Sequence, residues 1–227
     1  MAQGLSAQPP APAYWLDACA GLSASCSVMR ALIDRHRREA LQPRGDPFQT
    51  LARSIVGQQI SVKAASSVWV RLEAWCAGRV DPLLLAQGKV QELRGCGLSE
   101  RKAEYLRALG EAFASGRINP KAWAELSDEA VILDLVKERG IGRWTAEMFL
   151  IFNLLRPDVW PLDDIGLLRA VALHWGGHRP MQEAVAASSP HKASREQARA
   201  VGEGLRPWRS VATWYLWRSL DPVPVAY

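Results

Sequence analysis

The stretch Leu135-Val136-Lys137-Glu138-Arg139-Gly140-Ile141-Gly142-Arg143-Trp144-Thr145-Ala146 decides how the rest of the chain is read. An amphipathic helix ends at a Gly-Ile-Gly turn and a second helix begins at once. The first N–H groups of that second helix have no intrahelical partner, and with the helix dipole they attract a phosphate oxygen. Gly140 and Gly142 allow a close backbone approach, and Ile141 can plug the angle between the helices. Such contacts position a duplex without reading its sequence. Gly140, Ile141, Gly142, Arg143 and Thr145 are therefore candidate DNA-binding residues. Taken alone, the same letters also describe a plain helical hairpin with glycine as its stop.

Outward from this turn, apolar residues recur at helical spacing almost everywhere, and alternating runs bounded by turns are absent, so the chain reads as all-α. The pattern predicts helices over 14–20, 25–37, 46–57, 61–75, 82–87, 89–95, 99–115, 120–126, 128–139, 143–155, 165–175, 195–205 and 207–220. Asp46 before Pro47, Ser99 before Glu100 and Ser127 before Asp128 are start signals, and Gly116, Gly140 and Gly176 are stops. Residues 176–194 lack periodicity and read as a surface loop. Leu93-Arg94-Gly95-Cys96-Gly97 echoes Glu138-Arg139-Gly140-Ile141-Gly142 in outline.

A length of 227 residues and 48% hydrophobic content suit one large or two small cores and exclude a disordered chain. The net charge of +5 fits a polyanionic partner without demanding one. Residues 1–13 have neither a basic nor an apolar signal region and read as a disordered leader, which places the protein in the cytoplasm, associated with the bacterial nucleoid when bound to DNA. The longest apolar stretch, from Met148 to Leu155, is far shorter than the roughly 20 residues needed to cross a bilayer, so no membrane partner is expected. Cys19, Cys26, Cys76 and Cys96 show no C-x-x-C spacing, and Gly176 and Gly177 separate His174 from His178, so no metal site is signalled.

The next informative element is Val159-Trp160-Pro161-Leu162-Asp163-Asp164-Ile165-Gly166, one helix and a short turn beyond the hairpin. An Asp before an apolar helical run is ordinarily an N-cap, and Asp163 is read as one. The hairpin with Asp164 behind it resembles the helix-hairpin-helix DNA glycosylases. Within that superfamily, Asp46-Pro47-Phe48-Gln49 through Gly57-Gln58-Gln59-Ile60-Ser61 looks like the entry helix of the 3-methyladenine DNA glycosylase II family, and Pro207-Trp208-Arg209-Ser210-Val211-Ala212 with Trp217 looks like its C-terminal signature.

The resemblance implies two packed helical subdomains, a central one over about 50–155 and a second from the N- and C-terminal helices, within a glycosylase domain over 14–227 and with the active-site cleft between them. It implies Asp164 as the catalytic carboxylate, Trp144 and Trp217 as walls of the base pocket, Gln58 beside them, and Met148 where an aromatic can stand. Gln59 falls where the family inserts a wedge into the gap left by the flipped base. The substrate would be double-stranded DNA carrying alkylated purines, handled by a monomer in base excision repair. No organic cofactor is implied, although a monovalent cation at the hairpin carbonyls is compatible with the family. Trp144 stands where strand-cutting relatives carry a nucleophilic Lys, which implies base removal without lyase activity. Arg101, Lys102 and Lys63 are further candidates for phosphate contacts. The competing readings are a non-catalytic DNA-binding module, a glycosylase for deaminated, mismatched or oxidised bases, and an all-α interaction protein.

Overall fold

The structure, a computed structural model, describes residues 11–176 and 192–220. Most of the expected leader and loop, and His178, lie outside the described residues. Among the described residues every regular element is helical, as the periodicity predicts. The chain divides into two compact units, one over Arg44–Leu154 and the other from the segments on either side of it.

The first unit holds α3 (Pro47–Gly57), α4 (Val62–Trp75), α5 (Pro82–Gln87), α6 (Val90–Gly95), α7 (Glu100–Ala114), a 3-10 turn (Pro120–Glu125), α8 (Asp128–Leu135) and α9 (Arg143–Phe152). Every residue of α9 from Thr145 to Phe152 is buried, as expected of a helix enclosed on all sides. Trp123 stands edge-on to Phe149 with ring centroids 5.4 Å apart, and its indole N–H donates to Asp134 at 2.9 Å. Gly110 lets α7 lie directly on α5, since a Cβ there would come within 2.5 Å of the Pro82 carbonyl.

The second unit holds α1 (Trp15–Ser25), α2 (Ser27–Arg35), α10 (Ile165–Trp175), α11 (Arg195–Glu203) and α12 (Arg209–Leu220). Its core gathers Leu22, Met29, Val171, Val211, Tyr215 and Leu216. The Pro207–Ala212 segment acts as scaffold. Arg209 clasps Asp158 at 2.7 and 2.9 Å, and the Ser210 hydroxyl donates to the Arg156 carbonyl at 2.6 Å while accepting from Val159 N–H at 2.9 Å. These bonds fix the turn at 156–159 from which the chain leads to Asp164 at the start of α10.

Three boundaries differ from expectation by three or more residues. α1 continues through Ser25 because Ala18 and Leu22 extend its buried face, and the break falls at Cys26, whose backbone is extended. α8 ends at Leu135, so 136–140 are turn; α9 ends at Phe152, with Leu155 in the left-handed region two residues before Pro157.

Candidate functional site

The hairpin is built by steric exclusion. Gly140 has φ +89, and a Cβ there would stand 2.4 Å from the Tyr105 ring, so a side chain is excluded twice over. Ile141 is buried at 4% exposure and plugs the turn, as its placement predicts. Gly142 is the N-cap of α9 and makes no side-chain cap hydrogen bond. The first intrahelical bond runs from Ala146 N–H to the Gly142 carbonyl at 3.0 Å, which puts Arg143, Trp144 and Thr145 in the uncapped first turn. Thr145 is buried at 4% exposure.

The Arg143 side chain is engaged with protein. Its two terminal nitrogens reach both oxygens of Glu129 at 2.8 and 2.7 Å, and Nε reaches buried Glu147 at 3.1 Å. The guanidinium hydrogen bonds hold the Glu129 carboxyl below its ordinary range. Arg143 thereby ties the start of α8 to the start of α9. Arg101 leans on Tyr105, while Lys63 is exposed.

Gln58 caps the C-terminus of α3, and its amide donates to the Gly140 carbonyl at 2.9 Å, so the residue beside the expected pocket fastens the hairpin. Gln59 follows in the left-handed region at φ +57 and is exposed, with Ile60 beside it at 40% exposure. Lys102 points inward: its ammonium donates to the Val56 and Gln58 carbonyls at 2.8 and 2.6 Å. This corrects its reading as a phosphate contact. Trp144 is half-buried, whereas Met148 is buried at 3% exposure.

In the other unit, Asp164 and Trp217 come together directly. Asp164 is buried at 7% exposure, and its Oδ1 accepts from Leu167 N–H at 2.6 Å and from the Trp217 indole N–H at 2.7 Å. Gly166 makes room, since a Cβ there would touch both side chains at 3.0 to 3.2 Å. Asp164, not Asp163, is the N-cap of α10. Asp163 is exposed and pairs instead with Arg195 at 2.6 Å. The backbone turn explains the exchange: Asp164 has the extended cap conformation, with its side chain on the amide three residues on.

Three hairpin carbonyls already accept protein donors: Glu138 from Ile141 N–H, Gly140 from Gln58 and Gly142 from Ala146 N–H. Each of these carbonyls keeps a second lone pair beside the donor it accepts, so a monovalent cation is compatible with them, and no step is derived through one. Among the described residues no group of three or more His, Cys, Asp or Glu could hold a metal ion. No helix among them is long and apolar enough to cross a membrane.

The family model for an HhH-GPD superfamily base excision DNA repair protein matches residues 52–191, more than half of the chain. The chain belongs to the HhH-GPD superfamily. A relative named DNA-3-methyladenine glycosylase 1, from Schizosaccharomyces pombe, is 31% identical over 202 residues, covering 88% of this chain and 83% of its own length. A crystal structure of DNA-3-methyladenine glycosidase from Bacillus halodurans superposes with a TM-score of 0.76 at 31% identity, covering 90% of this chain and 89% of that one. The S. pombe 3-methyladenine DNA glycosylase in complex with abasic DNA gives 0.74 at 27% identity, covering 93% and 99%.

Within this HhH-GPD chain, sequence reasoning missed Glu129 and the inward role of Lys102. The Arg143–Glu147 pair has a readable four-residue helical spacing. Glu129 reaches Arg143 across the turn, and no local pattern announces that.

Proposed function

We propose that the chain is a monofunctional DNA glycosylase that extrudes an alkylated purine of the 3-methyladenine or 7-methylguanine type from duplex DNA and hydrolyses its N-glycosidic bond. One copy suffices, because one nucleotide leaves the stack. The observation that carries this reading is Asp164, a buried carboxylate oriented by Trp217 and the first turn of α10. Membership of a base excision repair superfamily and the names of its relatives support the substrate class.

A purine alkylated at N3 or N7 is cationic and leaves as a neutral base, so it needs little help from a general acid. The burden falls on the sugar, where positive charge develops at C1′ as the bond breaks. A carboxylate about 4 Å away at an effective dielectric of about 20 contributes roughly 4 kcal/mol, about a thousandfold in rate. Water then adds to C1′ and gives up a proton to solvent, leaving free base and an abasic site. The hairpin's uncapped amides would hold the backbone, Gln59 would fill the vacated stack, and Trp144 and Met148 would contribute to the base pocket. A cationic base over an indole face gains on the order of 0.5 to 2 kcal/mol, which favours alkylated over normal purines. Organic cofactors have no part in this scheme. With Trp144 in place of an amine nucleophile, no strand cleavage is expected.

The test is base release from methylated duplex DNA by wild type and by Asp164→Asn. Asn is as good an N-cap as Asp and keeps an oxygen for Leu167 N–H and Trp217, so the fold should survive. Release should fall about a thousandfold. Undiminished release would remove Asp164 from catalysis, and strand scission by wild type would refute the monofunctional reading.

A further inference from the structure

We infer that Lys102 is a positioning residue for DNA insertion, holding the loop that presents Gln59 in its insertion-ready shape. The inference rests on reading Gln59 as the residue that enters the stack. The last carbonyls of α3 have no intrahelical donors, and the helix dipole concentrates negative charge there. Lys102, reaching across from α7, places its ammonium on one of them, Val56, and on the carbonyl of the capping residue Gln58. Burial pulls its pKa below the ordinary lysine value. Two backbone carbonyls from one loop, both met by one ammonium, give that ammonium a specific local task.

That task is legible one residue later. Gln59 occupies the left-handed region at φ +57 without being glycine, a conformation costing about 1 kcal/mol or more that persists only where neighbours over-determine it. Gln58 is fixed twice, through its carbonyl by Lys102 and through its amide by the Gly140 carbonyl. The Ile60 N–H closes the turn onto the Gly57 carbonyl at 3.4 Å. The exposed tip, Gln59 and Ile60, thus projects from a clamped base. A tip held in place before contact inserts without first having to be ordered, which is how pre-organisation lowers a barrier.

Two measurements on the full chain read this directly. One is single-turnover base release from methylated duplex. The other is the fluorescence of 2-aminopurine placed beside a stable abasic analogue, which changes when a side chain enters the stack. Lys102→Met should slow release by about tenfold or more and weaken the fluorescence change, with affinity for undamaged duplex preserved. Lys102→Arg, which keeps a cation and donors, should restore much of both, and it remains informative should Lys102→Met fold poorly. A Lys102→Met protein that shows only a lowered melting temperature, with full fluorescence change and release where it is folded, would reduce Lys102 to a helix cap and overturn the inference. Wild type that releases no methylated base, yet shows a 2-aminopurine change that Lys102→Met loses, would sink the proposed substrate and leave this inference standing. No fluorescence change in wild type would overturn the inference outright.

Discussion

Two helical turns in the Arg44–Leu154 unit share one plan and differ at the atom that matters. Between α6 and α7 the turn runs Gly97-Leu98-Ser99; between α8 and α9 it runs Gly140-Ile141-Gly142. Each begins with a glycine in the left-handed half of the map, φ +95 and +89, continues with a buried apolar plug, and ends on an extended N-cap. In the first, the Ser99 hydroxyl accepts from Lys102 N–H and Glu100 opens the helix, so the positive end of the dipole is neutralised from within. In the second, Gly142 supplies no cap and Arg143 opens the helix, a charge that the dipole disfavours and that two carboxylates compensate. A turn built for stability alone would resemble the first. The second forgoes that side-chain cap.

The largest effect should come from breaking the shared feature. Gly140→Ala adds left-handed strain and drives a methyl into the Tyr105 ring, and we expect a loss of about 2 to 4 kcal/mol in urea unfolding. Gly97→Ala bears the same strain but meets chiefly the end of the Arg71 guanidinium, 2.5 Å away, which can swing aside, so its loss should be smaller by on the order of 1 kcal/mol. Equal losses would mean that Tyr105 yields as readily as Arg71.

Exchanging the caps sharpens the contrast. A Cβ at Gly142 meets nothing within 4 Å, and its φ of −92 suits any residue. Gly142→Asp should therefore fold with undiminished stability and yet lose about tenfold or more in duplex affinity, because its carboxylate would bond first-turn amides and repel phosphate. The mirror change, Ser99→Ala, should cost about 1 kcal/mol of stability and leave affinity unchanged. Gly142→Asp that binds DNA like wild type would show that the uncapped turn does not hold the backbone.

Sequence reading found the helices well because caps and periodicity are local: Asp46, Ser99 and Ser127 cap the helices they announce. It placed the echo of the hairpin two residues early, aligning Gly95-Cys96-Gly97 with Gly140-Ile141-Gly142 where backbone geometry matches Gly97-Leu98-Ser99. Letters recorded that both segments hold two glycines, and only φ tells which glycine turns the chain. Asp163 and Asp164 were likewise indistinguishable by type. The choice of cap depends on where Pro161 lets the turn close, with the Asp164 N–H on the Pro161 carbonyl at 2.9 Å. Lys102 looked like a surface cation because its acceptors lie 46 and 44 positions away in the chain.

The smallest predicted effect decides what Arg143 does in the open hairpin. Glu129 has its pKa lowered from 4.5 chiefly by the Arg143 hydrogen bonds, so the pair's contribution to stability is complete above 4.5 and is lost as pH falls through the depressed value. Both side chains are about half exposed, so solvent screening limits the effect to under about 1 kcal/mol. Glu129→Gln should remove that part of the acid decline in thermal unfolding, and lower the neutral-pH melting temperature by no more than about 2 to 4 °C. Its effect on DNA runs the other way. Loosening the guanidinium from one carboxylate adds a net positive charge beside the uncapped amides, so duplex affinity should rise and its salt dependence steepen by about one counterion. A variant whose affinity falls instead would mean that Arg143 serves DNA by bracing α8 against α9, and that the open hairpin binds through backbone amides held in place by an internal ion pair.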